Sequence, residues 1–203
     1  MKSRTHEPDI VRPISRVHSI VPALILAAAL AVVSSGVSYA QGKVIRGAER
    51  GSENYQPWLT QEVRHQLVEV PWYSVFDNLA FQVNGSEVTL LGQVVNPTLK
   101  SDAENAVKNI EGVTKVNNNI EVLPVSPNDD AIRRAEYRAL YGDSTLFRYS
   151  MGALPAIHII VKNGHVTLIG VVANQMDKDV AGIRAKGVSG VFSVQNDLQV
   201  EKG

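Results

Sequence analysis

Residues 83–122 and 161–200 are two copies of one segment, aligned without a gap at an offset of 78 positions. Fifteen of the 40 positions are identical, among them Val88, Thr89, Leu90, Gly92, Val94, Ala103, Gly112, Val116, Asn118 and Val122. Chance at ordinary composition gives roughly two or three. A chain that repeats itself over this length folds as tandem modules. The shared positions are mostly Val, Gly, Ala and Leu, which build a scaffold and perform no chemistry. A scaffold kept twice without a reactive group kept twice predicts a pair of binding modules and not an enzyme.

The ends of the chain divide the rest. Residues 1–19 carry Lys2, Arg4, Arg12 and Arg16, the chain is apolar from Ile20 to Val33, and Ser38-Tyr39-Ala40 offers small residues at a cleavage position. Basic, apolar, small is the order of a secretory signal peptide. The competing reading is an uncleaved anchor, for which the apolar run falls short of the roughly 20 residues that span hydrocarbon. Residues 41–56 have no hydrophobic period and read as a flexible tether. The modules are then residues 57–125 and 126–203.

Composition narrows the function. Twenty acids balance twenty bases, which argues against a nucleic-acid binder relying on bulk charge. Without residues 1–40 the balance becomes 16 bases against 18 acids. No cysteine is present, so disulfides, thiol catalysis and thiolate metal sites are excluded. Modules of this size bury little apolar surface and are marginally stable alone.

Each module reads as α-β-β-α-β. Leu59, Val63, Leu67 and Val68 recur at helical spacing from about Thr60, and Ile132, Ala135, Ala139 and Leu140 form the equivalent face. Asn128-Asp129-Asp130 offers N-cap side chains for that second helix. Asn84-Gly85 and Asn163-Gly164 are hairpin signals, which predicts strands over 81–84 and 87–95. A helix follows from Pro97 to about Ile110, with Leu99, Ala103, Val107 and Ile110 on one face. Residues 115–122 then form a third strand. The second copy's version of this helix holds Gly182 and Gly187 and is predicted weaker. The order implies an α+β fold: two modules, each a three-stranded mixed sheet covered on one face by two helices. Gly92 and Gly170 lie mid-strand, where either a close packing contact or bulge, or a ligand, excuses the missing side chain. Leu123-Pro124-Val125-Ser126-Pro127 makes a short, stiff joint.

The run Val88-Thr89-Leu90-Leu91-Gly92-Gln93-Val94, followed by Gly112-Val113, Val116, Asn118, Ile120 and Val122, resembles the BON domain. It recurs as Val166-Thr167-Leu168-Ile169-Gly170-Val171-Val172 with Gly190-Val191, Val194, Asn196, Leu198 and Val200. The resemblance covers about residues 57–203. It implies a non-enzymatic exported protein of the bacterial periplasm, similar to osmotically inducible proteins, attached to phospholipid surfaces and concerned with envelope integrity or osmotic stress. No LysM segment accompanies it. The segment Gly142–Pro155 is longer than its first-copy counterpart Val70–Asn78, so the resemblance implies nothing about that loop.

The search for chemistry returns little. His65, His158 and His165 lack helical metal-site spacing, and no phosphate loop, nucleophile elbow or calcium loop occurs. No catalytic residue, metal ligand or cofactor is expected. The candidate surface is the first helix of the second copy with the loop beyond it: Arg133, Arg134, Tyr137, Arg138, Tyr141 and Arg148, with Tyr149 adjoining. Residues 134, 137, 138 and 141 share a helical face, and arginine with tyrosine suits an anionic membrane interface. The alternative is a solvated face whose tyrosines pack on the sheet while Asp129, Asp130 and Glu136 offset the charge. A second function, binding envelope proteins, would use the apolar loop Leu146–Leu154. Otherwise that loop, Phe147 included, is expected between the two modules. Oligomeric state is left open.

Overall fold

A two-residue turn sets the register in each module. The computed structural model describes residues 55–201. In the second module Asn163 and Gly164 both adopt positive φ, and the turn they form joins β5 (Ile157–Lys162) to β6 (His165–Val172), pairing Lys162 with His165. In the first module β1 (Asn78–Asn84) and β2 (Glu87–Val94) pair Asn84 with Glu87. The turn there is Gly85-Ser86, one residue later than Asn84-Gly85, and Asn84 closes the strand.

Around each hairpin the chain builds the expected fold. In the first module α1 (Tyr55–Val68) precedes the hairpin. Next, α2 (Pro97–Lys108) leads to β3 (Lys115–Asn118) and β4 (Glu121–Val122), both parallel to β2. The second module has α3 (Pro127–Tyr141), a 3-10 turn at Phe147–Ser150, the β5–β6 hairpin, α4 (Gln175–Lys186) and β7 (Ser193–Val200) parallel to β6. Each sheet is mixed, antiparallel in its hairpin and parallel across its crossover helix. Leu59, Val63 and Leu67 of α1 and Leu99, Ala103 and Val107 of α2 pack on Val88, Leu90 and Val94 of β2. Leu59, Val63, Leu67, Leu90 and Val94 are 0% exposed, and each such side chain contributes roughly 1.5–3 kcal/mol relative to exposure.

Gly92 and Gly170 have a backbone explanation. Their φ values are +112 and +146, and a Cβ would sit 2.0 Å from the Asn78 carbonyl oxygen and 2.1 Å from that of Ala156. The entry to the first strand of each hairpin crosses there too closely for any side chain, so these glycines serve the scaffold.

Several boundaries differ from expectation. Helix α1 includes Tyr55, inside the expected tether: Tyr55 is 5% exposed and its hydroxyl donates to the Gly112 carbonyl at 2.8 Å. The cap of α3 is Ser126, whose Oγ accepts from the Asp129 amide, with Pro127 in the first turn. Asp129 instead reaches the β5–β6 turn, its carboxylate accepting from the Asn163 and Gly164 amides at 2.8 Å each. The third strand of the first sheet is interrupted at Asn119-Ile120, where β7 is continuous. Helix α4 is as long as α2, 12 residues, despite Gly182.

The modules meet through an unexpected segment. Leu146, expected in a contact between modules, is buried in the core of the second module, and Phe147 is 55% exposed. The contact is made by the first module's loop between α1 and β1. Val75 joins the second module's core and Phe76 packs against it. The Ile159 amide donates to the Val75 carbonyl at 2.8 Å, and His158 Nδ1 lies 2.6 Å from the Asp77 carbonyl oxygen. The Tyr73 ring stacks on His158, centroids 5.5 Å apart. His158 is therefore a buried structural histidine, and burial lowers its pKa. The expected leader, residues 1–40, lies outside the described residues. Among the described residues no helix is long and apolar enough to cross a membrane.

Candidate functional site

Helix α3 carries most of the candidate residues and sorts them onto two faces. Asp129 and Asp130 stand in its first turn and Arg138 in its last, matching the helix dipole at both ends. Asp129, Ile132, Arg133, Glu136, Leu140 and Tyr141 are buried against the module, whereas Arg134, Tyr137 and Arg138 are exposed.

Two of the six candidates serve the fold. Arg133 is 3% exposed. Its Nη2 donates to the Val161 carbonyl at 2.6 Å, and its Nη1 pairs with Asp130 at 2.5 Å. Tyr141 is 5% exposed, its hydroxyl donates to the Ile157 carbonyl, and burial raises its pKa. Both side chains tie α3 to strand β5 and are removed from the surface face that helical spacing assigned to Tyr141.

A third, Arg148, lies on a different surface. Its guanidinium pairs with the buried carboxylate of Asp177, which also accepts from the Tyr149 hydroxyl. The Tyr149 hydroxyl in turn accepts from the Ala173 amide at 2.8 Å. This network seats the long loop on the N-terminal end of α4, and the Asp177 contact raises the Arg148 pKa. It leaves the apolar side chains of Phe147 and Met151 outside, the latter 72% exposed.

The remaining three form one surface. Arg134 and Arg138 are one turn apart and make no ion pair among the described residues. Tyr137, between them in sequence, is 39% exposed, with its ring 6.4 Å from that of Phe76 and 5.0 Å from that of Tyr141. Phe76 extends this surface into the first module.

Glu136 lies where a surface charge was expected to offset the arginines, yet it is 0% exposed and neither carboxylate oxygen has a hydrogen-bond donor among the described residues. Burial pushes its pKa up to about 8, so it is largely protonated at neutral pH and offsets no surface charge. The signal was present in the spacing, because Glu136 lies four residues from both Ile132 and Leu140 on the buried face.

A cleft of about 460 Å³ is lined by Asn78, Gln93, Thr167 and Gln195 together with Glu121 and Lys162, which form an ion pair between the modules. Among the described residues no group of three His, Asp or Glu side chains could hold a metal ion.

Known proteins resemble this chain. Osmotically-inducible protein Y of Escherichia coli (strain K12) is 29% identical over 152 residues, 70% of this chain and 71% of the relative. Two solved structures of CdsD, a structural protein of the type III secretion system of Chlamydia trachomatis, cover 71% of this chain and 93% and 98% of their own. They are 14% and 15% identical with TM-scores of 0.30 and 0.26, too low to establish a common arrangement of the modules. The BON domain matches twice, over residues 56–124 and 129–202. The two copies coincide with the two α-β-β-α-β modules, and the chain belongs to the BON domain family.

Proposed function

We propose that this is a periplasmic envelope protein of osmotic stress that docks reversibly, and without catalysis, on anionic phospholipid. The observation that carries the reading is the exposed face of α3, where Arg134 and Arg138 stand beside Tyr137 with no ion pair among the described residues. Guanidinium groups meet lipid phosphates, and a tyrosine ring sits at headgroup depth. Kinship with an osmotically inducible protein and the leader-like residues 1–40 support the compartment and the physiological setting. Each base near such a surface contributes on the order of 1 kcal/mol. Two exposed arginines therefore give weak, salt-sensitive attachment.

Flotation of residues 41–203 with phosphatidylglycerol vesicles tests it. The protein should float at low salt and remain behind at high salt, and R134A/R138A should reduce flotation at low salt. No flotation of the unaltered chain at low salt overturns the reading.

A second reading is favoured by a different surface. Phe147 is 55% exposed and Met151 72%, and the contact of Arg148 with Asp177 brings this loop beside Met176, 69% exposed. Such apolar exposure suits an envelope protein that binds other proteins. Protection of an unfolding client from aggregation, lost in F147S/M151S, would favour it. An unprotected client would dismiss it.

A further inference from the structure

Trp72 is 81% exposed and holds φ +68. A bulky residue adopts that left-handed conformation at a cost, and such strain persists where the surrounding structure imposes it and clusters at binding sites. An exposed indole repays nothing of this cost through packing within the chain. The residues after Trp72 impose the conformation. Tyr73 stacks on His158, the Ser74 amide and hydroxyl both donate to Asp77, and Val75 enters the second module's core.

Trp72 lies across the joint from the arginine face. Trp72, Phe76, Arg133 and Arg134 line one hollow of about 240 Å³, together with Asp77 and Asp130. Both carboxylates are already engaged, Asp77 with the Ser74 and Val95 amides and Asp130 with Arg133. Arg134, at the rim, has no ion pair among the described residues, and Tyr137 continues the surface through its contact with Phe76.

We infer that this hollow receives the phosphate headgroup of an anionic phospholipid, with Trp72 inserted at headgroup depth as the anchor and Arg134 meeting the phosphate. The inference rests on the lipid reading above and extends it, because the membrane surface then spans both modules. Indole rings are enriched at this depth of a bilayer, apolar body inward and N–H outward. Two arginines alone hold a surface weakly, and an inserted tryptophan adds the apolar area they lack. The contact between modules is then a condition of binding, since Val75 and Phe76 bring Trp72 to Arg134.

The chain has two tryptophans, so Trp58→Phe leaves Trp72 as the single emitter. On vesicles of mixed phosphatidylglycerol and phosphatidylcholine at low salt, its emission should shift to the blue and gain protection from acrylamide. On phosphatidylcholine alone it should not move. In the full chain, Trp72→Gly should weaken co-sedimentation with the mixed vesicles about tenfold, the effect of losing one large buried apolar side chain. Its melting temperature should equal or exceed that of the unaltered chain, because glycine accepts the positive φ. Co-sedimentation with unmoved Trp72 emission, or W72G binding as the unaltered chain does, overturns this inference and leaves the lipid reading standing. Failure of the unaltered chain to co-sediment overturns both.

Discussion

The amide of Ile159 donates to the carbonyl of Val75 at 2.8 Å, so a loop of the first module begins to pair with the edge strand of the second sheet. An unpaired strand edge is a liability, and here part of it is covered from within the chain. The same loop sends Val75 into the second core. The two modules therefore share hydrophobic surface that neither would bury alone.

Residues 55–201 should accordingly unfold in one transition. Val75→Ala should destabilise by about 1–3 kcal/mol, although Val75 belongs by sequence to the first module. Phe147→Ala should stay within about 0.5 kcal/mol, as for other surface positions. Residues 126–203 alone should be less stable than the pair. Two resolved calorimetric transitions, with the second unchanged by Val75→Ala, would show the modules to be independent.

Gly92 and Gly170 should tolerate no side chain. A Cβ at Gly92 or Gly170 would lie 2.0 or 2.1 Å from a backbone carbonyl oxygen, and backbone yields less readily than the end of a side chain. Gly92→Ala and Gly170→Ala should each cost about 3 kcal/mol or more, in the range of severe single substitutions. Denaturant midpoints within a few tenths of a molar of the unaltered chain would contradict this.

What could be read from the sequence followed the length scale of the interaction. Leu59, Val63 and Leu67, and Leu99, Ala103 and Val107, sit where helical spacing puts them, because period and burial are set within a few turns of the same helix. The α+β fold followed from the hydrophobic period within each copy, whereas the BON assignment rested on resemblance of the Val88–Val94 and Val166–Val172 motifs to that family. Val75 could not be placed, since its partners are Ile159 and a core more than 50 residues away. Tyr55 falls in the tether by sequence because one aromatic ring sets no period, and its burial depends on Gly112. Of the candidate surface, Arg134, Tyr137 and Arg138 were legible as an exposed face. The spacing that grouped Tyr141 with them says nothing of Ile157, whose carbonyl holds its hydroxyl inside. Arg133 is drawn inward in the same way by Val161.

Asn118 and Asn196 are the repeat's shared polar side chains on the third strand, and each clamps that strand to the crossover helix. Asn118 donates to the Lys100 carbonyl at 2.9 Å and Asn196 to the Lys178 carbonyl at 2.7 Å, while their Oδ1 atoms accept from Ile120 and Leu198. Asn196→Ala should cost about 1–2 kcal/mol. Asn196→Asp should cost more, because a carboxylate would then face a carbonyl oxygen. In the first module Asn118→Asp would also face the Glu104 carboxylate, which now accepts from Asn118. Thermal melts in which aspartate is milder than alanine at both positions would remove the clamp from this account.

Glu136 makes stability depend on pH in a direction opposite to that of most carboxylates. Its folded pKa, about 8, lies above the ordinary 4.5, so the native state holds the proton more tightly than the unfolded chain. Below about pH 4.5 both states are protonated and the buried carboxyl costs no ionisation. Between 4.5 and 8 the unfolded chain releases the proton while the native state keeps it, and stability falls. Above 8 the full cost, on the order of 3–5 kcal/mol, is present. His158 works against this on the acid side. Its folded pKa is lowered by burial, so protonation in the unfolded chain removes stability as pH falls below its ordinary value of 6.5. Glu136→Gln should therefore raise the melting temperature at pH 8 far more than at pH 5, and leave the acid-side decline in place. Equal increments at both pH values would mean that the Glu136 carboxyl titrates alike in the folded and the unfolded chain, and that burial does not hold its proton.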